Sequence, residues 1–437
     1  MDSEDILKVI RRAKLDAELD IRITEDRSSS LGIERGVFIG GQSDESRDAV
    51  IRCLYKKRSS SMRLSLNSAE DLDNGVMKAY KLAKVIGSED GQSTFSVLKH
   101  LNGPSPLSRK IGLIKNSDIL SRMLAAKKAI SEVQNIYSIN ISSGYSHTHL
   151  CAANSNGING DWEGSVAFAR AGVVAKDGVE QTTGSKEAES LDPYGIDFDE
   201  VAVGAASLAK NMLGAKQAPT FKGDLLLSPE TSNLLMGELV SAMDGEDILK
   251  NRSFLVGKKG QVIASTLVSL REENLLKKSP YNRQFDDELI PTSSKDLVSG
   301  GLLQTYLHDI YSAEKMNEKP TGNGFFGQEG SSVDATNVVL KPGKIKTEDL
   351  ISRIKKGIYL IETGDSPNMS TGDLSAMVMN GYYIESGEIK YPVKETMVGV
   401  NMIDLMKNIS TLGSEYLGLG GVFTPALIIG GVQVSGK

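Results

Sequence analysis

The sequence predicts an α+β protein of two domains, 1–219 and 220–437. Helices on an antiparallel sheet come first, and a β-rich, barrel-like domain with few helices follows. Three observations predict this. The chain has 437 residues, too many for one ordinary core. Long runs of helical periodicity concentrate in its first half. Beyond Phe221, short alternating segments and glycine or proline turns dominate, in keeping with 44 glycines overall.

Taken in order, Ser3–Ala17 reads as a helix capped by Ser3, with Ile6, Val9, Ile10, Ala13 and Ala17 on one stripe. Glu18–Thr24 alternates as a half-buried strand, and Val37–Gly41 and Ala49–Tyr55 read as two more. Ser68–Ile86 and Ser117–Val133 are helices, buried through Leu72, Val76 and Ala79 and through Leu120, Met123 and Ile130. Strands resume at Tyr137–Ser142 and Ser165–Ala175, with a turn at Asn154-Ser155-Asn156-Gly157 between them. Asp197–Leu213 is a helix, and Gly214–Pro219 marks the domain boundary. In the second domain the apolar run Leu225–Leu227 stops at Ser228-Pro229-Glu230, where a helix carrying Leu234, Leu235, Leu239 and Met243 begins. Phe254–Ser265 reads as a hairpin around Gly257–Gly260, and Thr347–Lys356 and Met402–Ser410 as helical segments.

Composition narrows the function. A net charge of −6 offers no basic footprint for nucleic acid. The run Lys56-Lys57-Arg58, followed by Arg63, has no interleaved aromatic residue and reads as a solvated strand face. Two distant cysteines, Cys53 and Cys151, form neither a disulfide framework nor a CxxC site, which suits a reducing compartment. The first residues are acidic and then amphipathic, unlike a signal peptide, and no apolar run nears the ~20 residues of a membrane span. A cytoplasmic protein that binds neither membrane nor nucleic acid is expected.

Titratable residues give few motifs. The histidines are His100, His147, His149 and His308. His147 and His149 share one side of a strand and form half a metal site. Without a carboxylate or thiol at motif spacing, a polar strand end is the plainer reading. His308 precedes Asp309, but strand neighbours point to opposite faces, so it reads as an ordinary strand histidine. Glu230 is a candidate general base, yet Ser-Pro-Glu is also how a helix begins. Glu238 and Asp244 read as a solvated face and a helix exit. The glycine-rich stretches Gly322–Gly324 and Gly364–Gly372 are candidate binding loops, and the first lacks the lysine of a phosphate-binding loop.

Several segments in order resemble the TldD/PmbA family, once called modulators of DNA gyrase. They are Asn154–Gly157, Gly204–Gly214, Gly245–Gly257, Phe285-Asp286-Asp287-Glu288, Gly300–Ala313, Thr321–Asn323, Lys341–Gly343, Lys356–Tyr359, Gly372–Ser375, Gly387–Val393 and Thr424–Gly436. The resemblance implies a cytosolic peptidase system with two branches. A TldD-like branch carries an HExxxH helix and a C-terminal cysteine as zinc ligands, and a TldE/PmbA-like branch lacks them. The two pair as a heterodimer acting on unfolded or leader peptides, which bind as extended strands. In this sequence the histidine positions fall near Ser228 and Asn233, and the base position falls on Pro229, one residue before Glu230. No cysteine follows Cys151, and Tyr416–Phe423 reads YLGLGGVF.

The resemblance therefore implies a non-zinc subunit that binds no cofactor itself. Zinc is expected in a TldD-like partner, in a heterodimer, with a homodimer as the other arrangement. Gly322, Asn323, Gly324, Phe325, Gly372, Asp373 and Ser375 are the expected peptide-binding residues. Two alternatives remain open at this point: a self-sufficient metallopeptidase with a divergent metal site, and a protein-binding regulator of DNA gyrase.

Overall fold

The computed structural model describes residues 2–85, 93–98, 114–326 and 331–437. Among these, β1 (Glu18–Glu34), β2 (Val37–Tyr55), β3 (Arg58–Ser65), β4 (Ile136–Asn154), β5 (Asn159–Asp177) and β6 (Glu180–Ser190) form one antiparallel sheet. Its order is β3-β2-β1-β4-β5-β6. The strands outrun their sequence signals, and Val37–Gly41 and Ala49–Tyr55 are two ends of the single strand β2.

On β1 the alternate residues Leu19, Ile21, Ile23, Leu31 and Ile33 are all buried, so one face of the sheet carries the core. Helices α1 (Ser3–Ala13) and α2 (Ala69–Val85) cover one end of that face, and α3 (Asn116–Ser131) and α4 (Phe198–Asn211) cover the other. Among the described residues, the apolar cluster on the opposite face contains no helix residue. There Leu150 and Ala152 meet Phe285 and Leu289 of the second half.

Two expectations about the first half change. Asp2, not Ser3, caps α1, and the helix stops at Ala13 because Lys14 turns left-handed at φ 47°. Lys56 and Lys57 have φ of 48° and 66°, so they are the turn of the β2–β3 hairpin and not a strand face.

In the second half, β7 (Phe221–Leu227) lies inside a sheet, antiparallel to Leu427–Ser435 and parallel to Lys356–Glu362. Leu225 and Leu227 join the main core, whereas Leu226 packs on Leu350, Ile354, Ile384 and Ile428. A strand covered on both faces is why the sequence shows an unbroken apolar run. Helices α5 (Pro229–Ser241) and α6 (Gly245–Leu249) follow, and shorter helices punctuate a strand-rich remainder. The α+β class with a β-rich second half holds.

Local corrections follow from backbone geometry. Phe254–Ser265 is a series of turns joined to Leu302 only by an isolated bridge at Val262, not a hairpin. The helix at Thr347 ends at Ile351, and a strand begins at Lys356; the helix at Met402 ends at Lys407. His308 is not on a strand, because Asp309 caps the helix Ile310–Met316 by accepting from the Ser312 N–H.

Candidate functional site

The β7–α5 corner is built by its own sequence. Ser228 Oγ accepts from the Thr231 N–H at 3.2 Å and donates to the Ile361 carbonyl at 3.0 Å. Pro229 occupies the first helical turn, where its missing N–H costs nothing. Ser228→Ala should lower stability by about 1 kcal/mol in urea unfolding. One turn on, Asn233 Nδ2 donates to the Val422 and Leu419 carbonyls at 2.5 and 3.4 Å. Helix α5 thus lies against the Tyr416–Phe423 segment through Asn233.

This corner forms one wall of a cleft of about 1040 Å³. The floor is that opposite face of the first sheet, with Ser30, Gly32, Asn140, Ser142, Arg170 and Gly172. Glu230, Ile361, Glu362, Leu417 and Leu419 stand opposite. Two polar contacts cross the cleft from β6: Lys186 Nζ pairs with Glu230, and Ser185 Oγ donates to Glu362 Oε1 at 2.8 Å. Burial alone would raise the Glu230 carboxyl. The Lys186 charge and hydrogen bond outweigh it, with help from the α5 backbone and Ser228, and hold it below the ordinary value. Glu230 is therefore a committed anion, poorly suited to taking up a proton at neutral pH.

The glycine-rich segment at 322–325 lies elsewhere. Asn323 is fully buried: Nδ2 donates to Glu272 Oε1 at 3.0 Å and to the Asp334 carbonyl at 2.7 Å, and Oδ1 accepts from Lys295 Nζ at 2.9 Å. Gly324 N–H donates to Asp286 Oδ2 at 2.8 Å, and a Cβ on Gly322 would sit 2.6 Å from the Pro291 carbonyl. The Phe325 ring lies 5.3 Å from the Arg283 guanidinium, which also covers Trp162 at 4.4 Å. Apart from Arg283 on Trp162, these contacts stay within the second half, so the residues neither fasten the two halves nor line the cleft. Gly372 packs against Phe254, Asp373 accepts from Asn401 Nδ2 at 3.0 Å, and Ser375 is exposed on the edge strand Asp373–Met377, all outside the cleft. Of the residues that do line it, the sequence singles out Glu230, and Asn140, Ser142, Arg170 and Gly172 fall in expected strands without a motif to mark them.

The fastening belongs to Phe285–Glu288. Arg22 of β1 and Arg283 both pair with Asp287, the latter at 2.8 Å. Arg52 of β2 pairs with Glu288 at 2.6 Å and with Asp20 at 3.3 Å. Burial and the nearby Glu288 push Asp286 well above the usual carboxylate range and Asp309 up to about 6. A carboxyl raised in the folded state favours folding while protonated. Its contribution is complete below 3.8, its ordinary value, and is lost as pH rises through about 6. Asp309→Asn keeps an acceptor for the cap and should flatten that decline in stability between pH 4 and 6, read by denaturant midpoints.

His147 and His149 are half-buried on β4, with His149 Nε2 4.0 Å from Asp161 Oδ1. Among the described residues no group of three or more His, Cys, Asp or Glu is placed to hold a metal ion. His308 is buried with Nδ1 3.1 Å from Ser312 Oγ, and burial lowers its pKa. His100 lies outside the described residues. Burial pushes the Cys53 and Cys151 thiols up to about 11 and about 12. Neither should react with an aromatic disulfide reagent until the protein is unfolded. Among the described residues no helix is long and apolar enough to cross a membrane.

The fold is a strand-rich half carrying the β7–α5 corner, joined to a helix-backed antiparallel sheet. Residues 220–436 match the PmbA/TldA metallopeptidase C-terminal domain, and the chain carries a domain of the PmbA/TldD family. A metalloprotease of Methanocaldococcus jannaschii is 24% identical over 416 residues, 91% of this chain and 90% of that one. Metalloprotease PmbA of Escherichia coli O157:H7 is 27% identical over 237 residues, so the match spans about half of each, 53% and 51%. The fold is that of TldE from Thermococcus kodakarensis, with a TM-score of 0.90 at 22% identity over 99% of this chain and all of that one, 100%.

Proposed function

We propose that this chain is a TldE-type, non-zinc subunit of a cytoplasmic two-component peptidase. It holds an unfolded or leader peptide in extended form in the cleft, while a TldD-like partner supplies the zinc. The observation that carries this reading is the β7–α5 corner. A catalytic zinc needs three nitrogen, sulfur or carboxylate donors with an open fourth position. Here the corner offers the Ser228 hydroxyl, the Asn233 amide and a Glu230 carboxylate, each already engaged by another protein group. They do not fit zinc. The cleft floor, small and polar, suits a ligand that bonds mainly through its backbone, as broad peptide binders require.

Elemental analysis of the purified chain tests the zinc assignment. The expected content is far below one zinc per chain. About one zinc per chain, lost in His147→Ala or His149→Ala, would replace this reading with a self-sufficient metallopeptidase.

A further inference from the structure

Resting on the peptide-cleft reading above, we infer that Lys186 is a substrate-positioning residue whose ammonium receives a backbone carbonyl oxygen of the extended peptide. The mismatch with zinc carries the idea. The corner where the family places a metal cation is not without positive charge in this chain. Lys186 brings an ammonium to Glu230, next to the start of α5 and inside the cleft.

The route of that side chain is specific. Lys186 pairs with Ala171, whose side chain belongs to the core under α3 and α4, so Lys186 leaves the sheet on its helix side. Its stem then runs beside Gly204 of α4, where a Cβ would meet Lys186 Cγ at 3.3 Å. Its ammonium ends on Glu230 at the cleft wall. Lys186 keeps 30% of its side chain exposed and Glu230 33%, so solvent and ligand both reach the pair.

An ammonium has three donors, and Glu230 takes one. The other lining cation on this side, Arg170, is engaged by Glu187 at 2.7 Å. An extended peptide presents carbonyl oxygens at regular spacing, and a lysine takes one as a point charge without demanding a fixed plane. Unlike a metal ion it does not lower the pKa of water, so it orients a peptide without cleaving it.

The test uses the full chain and an end-blocked, fluorophore-labelled peptide without acidic side chains, so that backbone carbonyls are the available acceptors. Binding is read by anisotropy and folding by thermal melting. Lys186→Met should weaken binding by about ten-fold, the loss of one charge-assisted hydrogen bond. Glu230→Gln, which frees the ammonium for the peptide carbonyl, should tighten binding. A merely structural strut would behave otherwise, with both variants losing affinity alike, and that result overturns the inference. So does Lys186→Met binding as tightly as the native chain, an outcome that leaves the peptide cleft itself standing. A native chain that binds no such peptide overturns both. If Lys186→Met does not fold, Lys186→Gln is read by the same criteria.

Discussion

Arg52→Ala should destabilise the protein by about 3 to 5 kcal/mol, the cost of stranding buried charges. The Arg52 side chain is 12% exposed, and its carboxylate partners Asp20 and Glu288 are 2% and 1% exposed. Its guanidinium also lies 5.0 Å from the Phe95 ring. Removing it leaves two carboxylates without their cation where the two halves meet. Both would have to be protonated or hydrated, so the loss should shrink in acid. Urea unfolding at neutral and acid pH checks this. A loss under about 1 kcal/mol at neutral pH would mean that water reaches these carboxylates freely.

Asn323→Ala is the second large effect. It removes one of the donors to Glu272, a carboxylate with no exposed surface that keeps Lys295 and Thr336, and one acceptor of Lys295. It also unpairs the Asp334 carbonyl. Glu272 and Lys295 stay paired with each other, so the Asp334 carbonyl is the main group left unsatisfied and the loss should be about 1 to 3 kcal/mol. Peptide affinity, measured where the variant is still folded, should not change. A stable variant with weakened peptide binding would return Asn323 to the list of ligand contacts that its glycine-flanked sequence suggested.

That contrast shows where sequence is legible. Leu225–Leu227 and Ser228-Pro229-Glu230 announce a buried strand and a capped helix, because burial on both faces and an N-terminal cap each leave a residue pattern. The polar stretches Glu25–Ser30 and Gln42–Arg47 belong to long strands but show no alternation. At Gln42–Ser46 every residue of β2 is exposed, so no face selects apolar residues. The cleft floor is hidden for the same reason. The resemblance drew attention to Ser228, Asn233 and Tyr416–Phe423, of which Asn233 bonds the Leu419 and Val422 carbonyls. It could not show Lys186, which enters from β6, forty-four residues before Glu230. Gly322-Asn323-Gly324 looked like a binding loop because tight backbone approach to a ligand and to the protein's own interior call for the same small residues.

Peptide hydrolysis by this chain alone, by a TldD-like zinc subunit alone and by their mixture tests the central claim most directly. The account predicts no cleavage by this chain alone. The mixture should cleave unfolded or leader-like peptides but leave folded domains intact, since only an unpaired backbone can lie along the cleft. Chelator-sensitive hydrolysis by this chain alone, at a rate the zinc subunit does not raise, would contradict it.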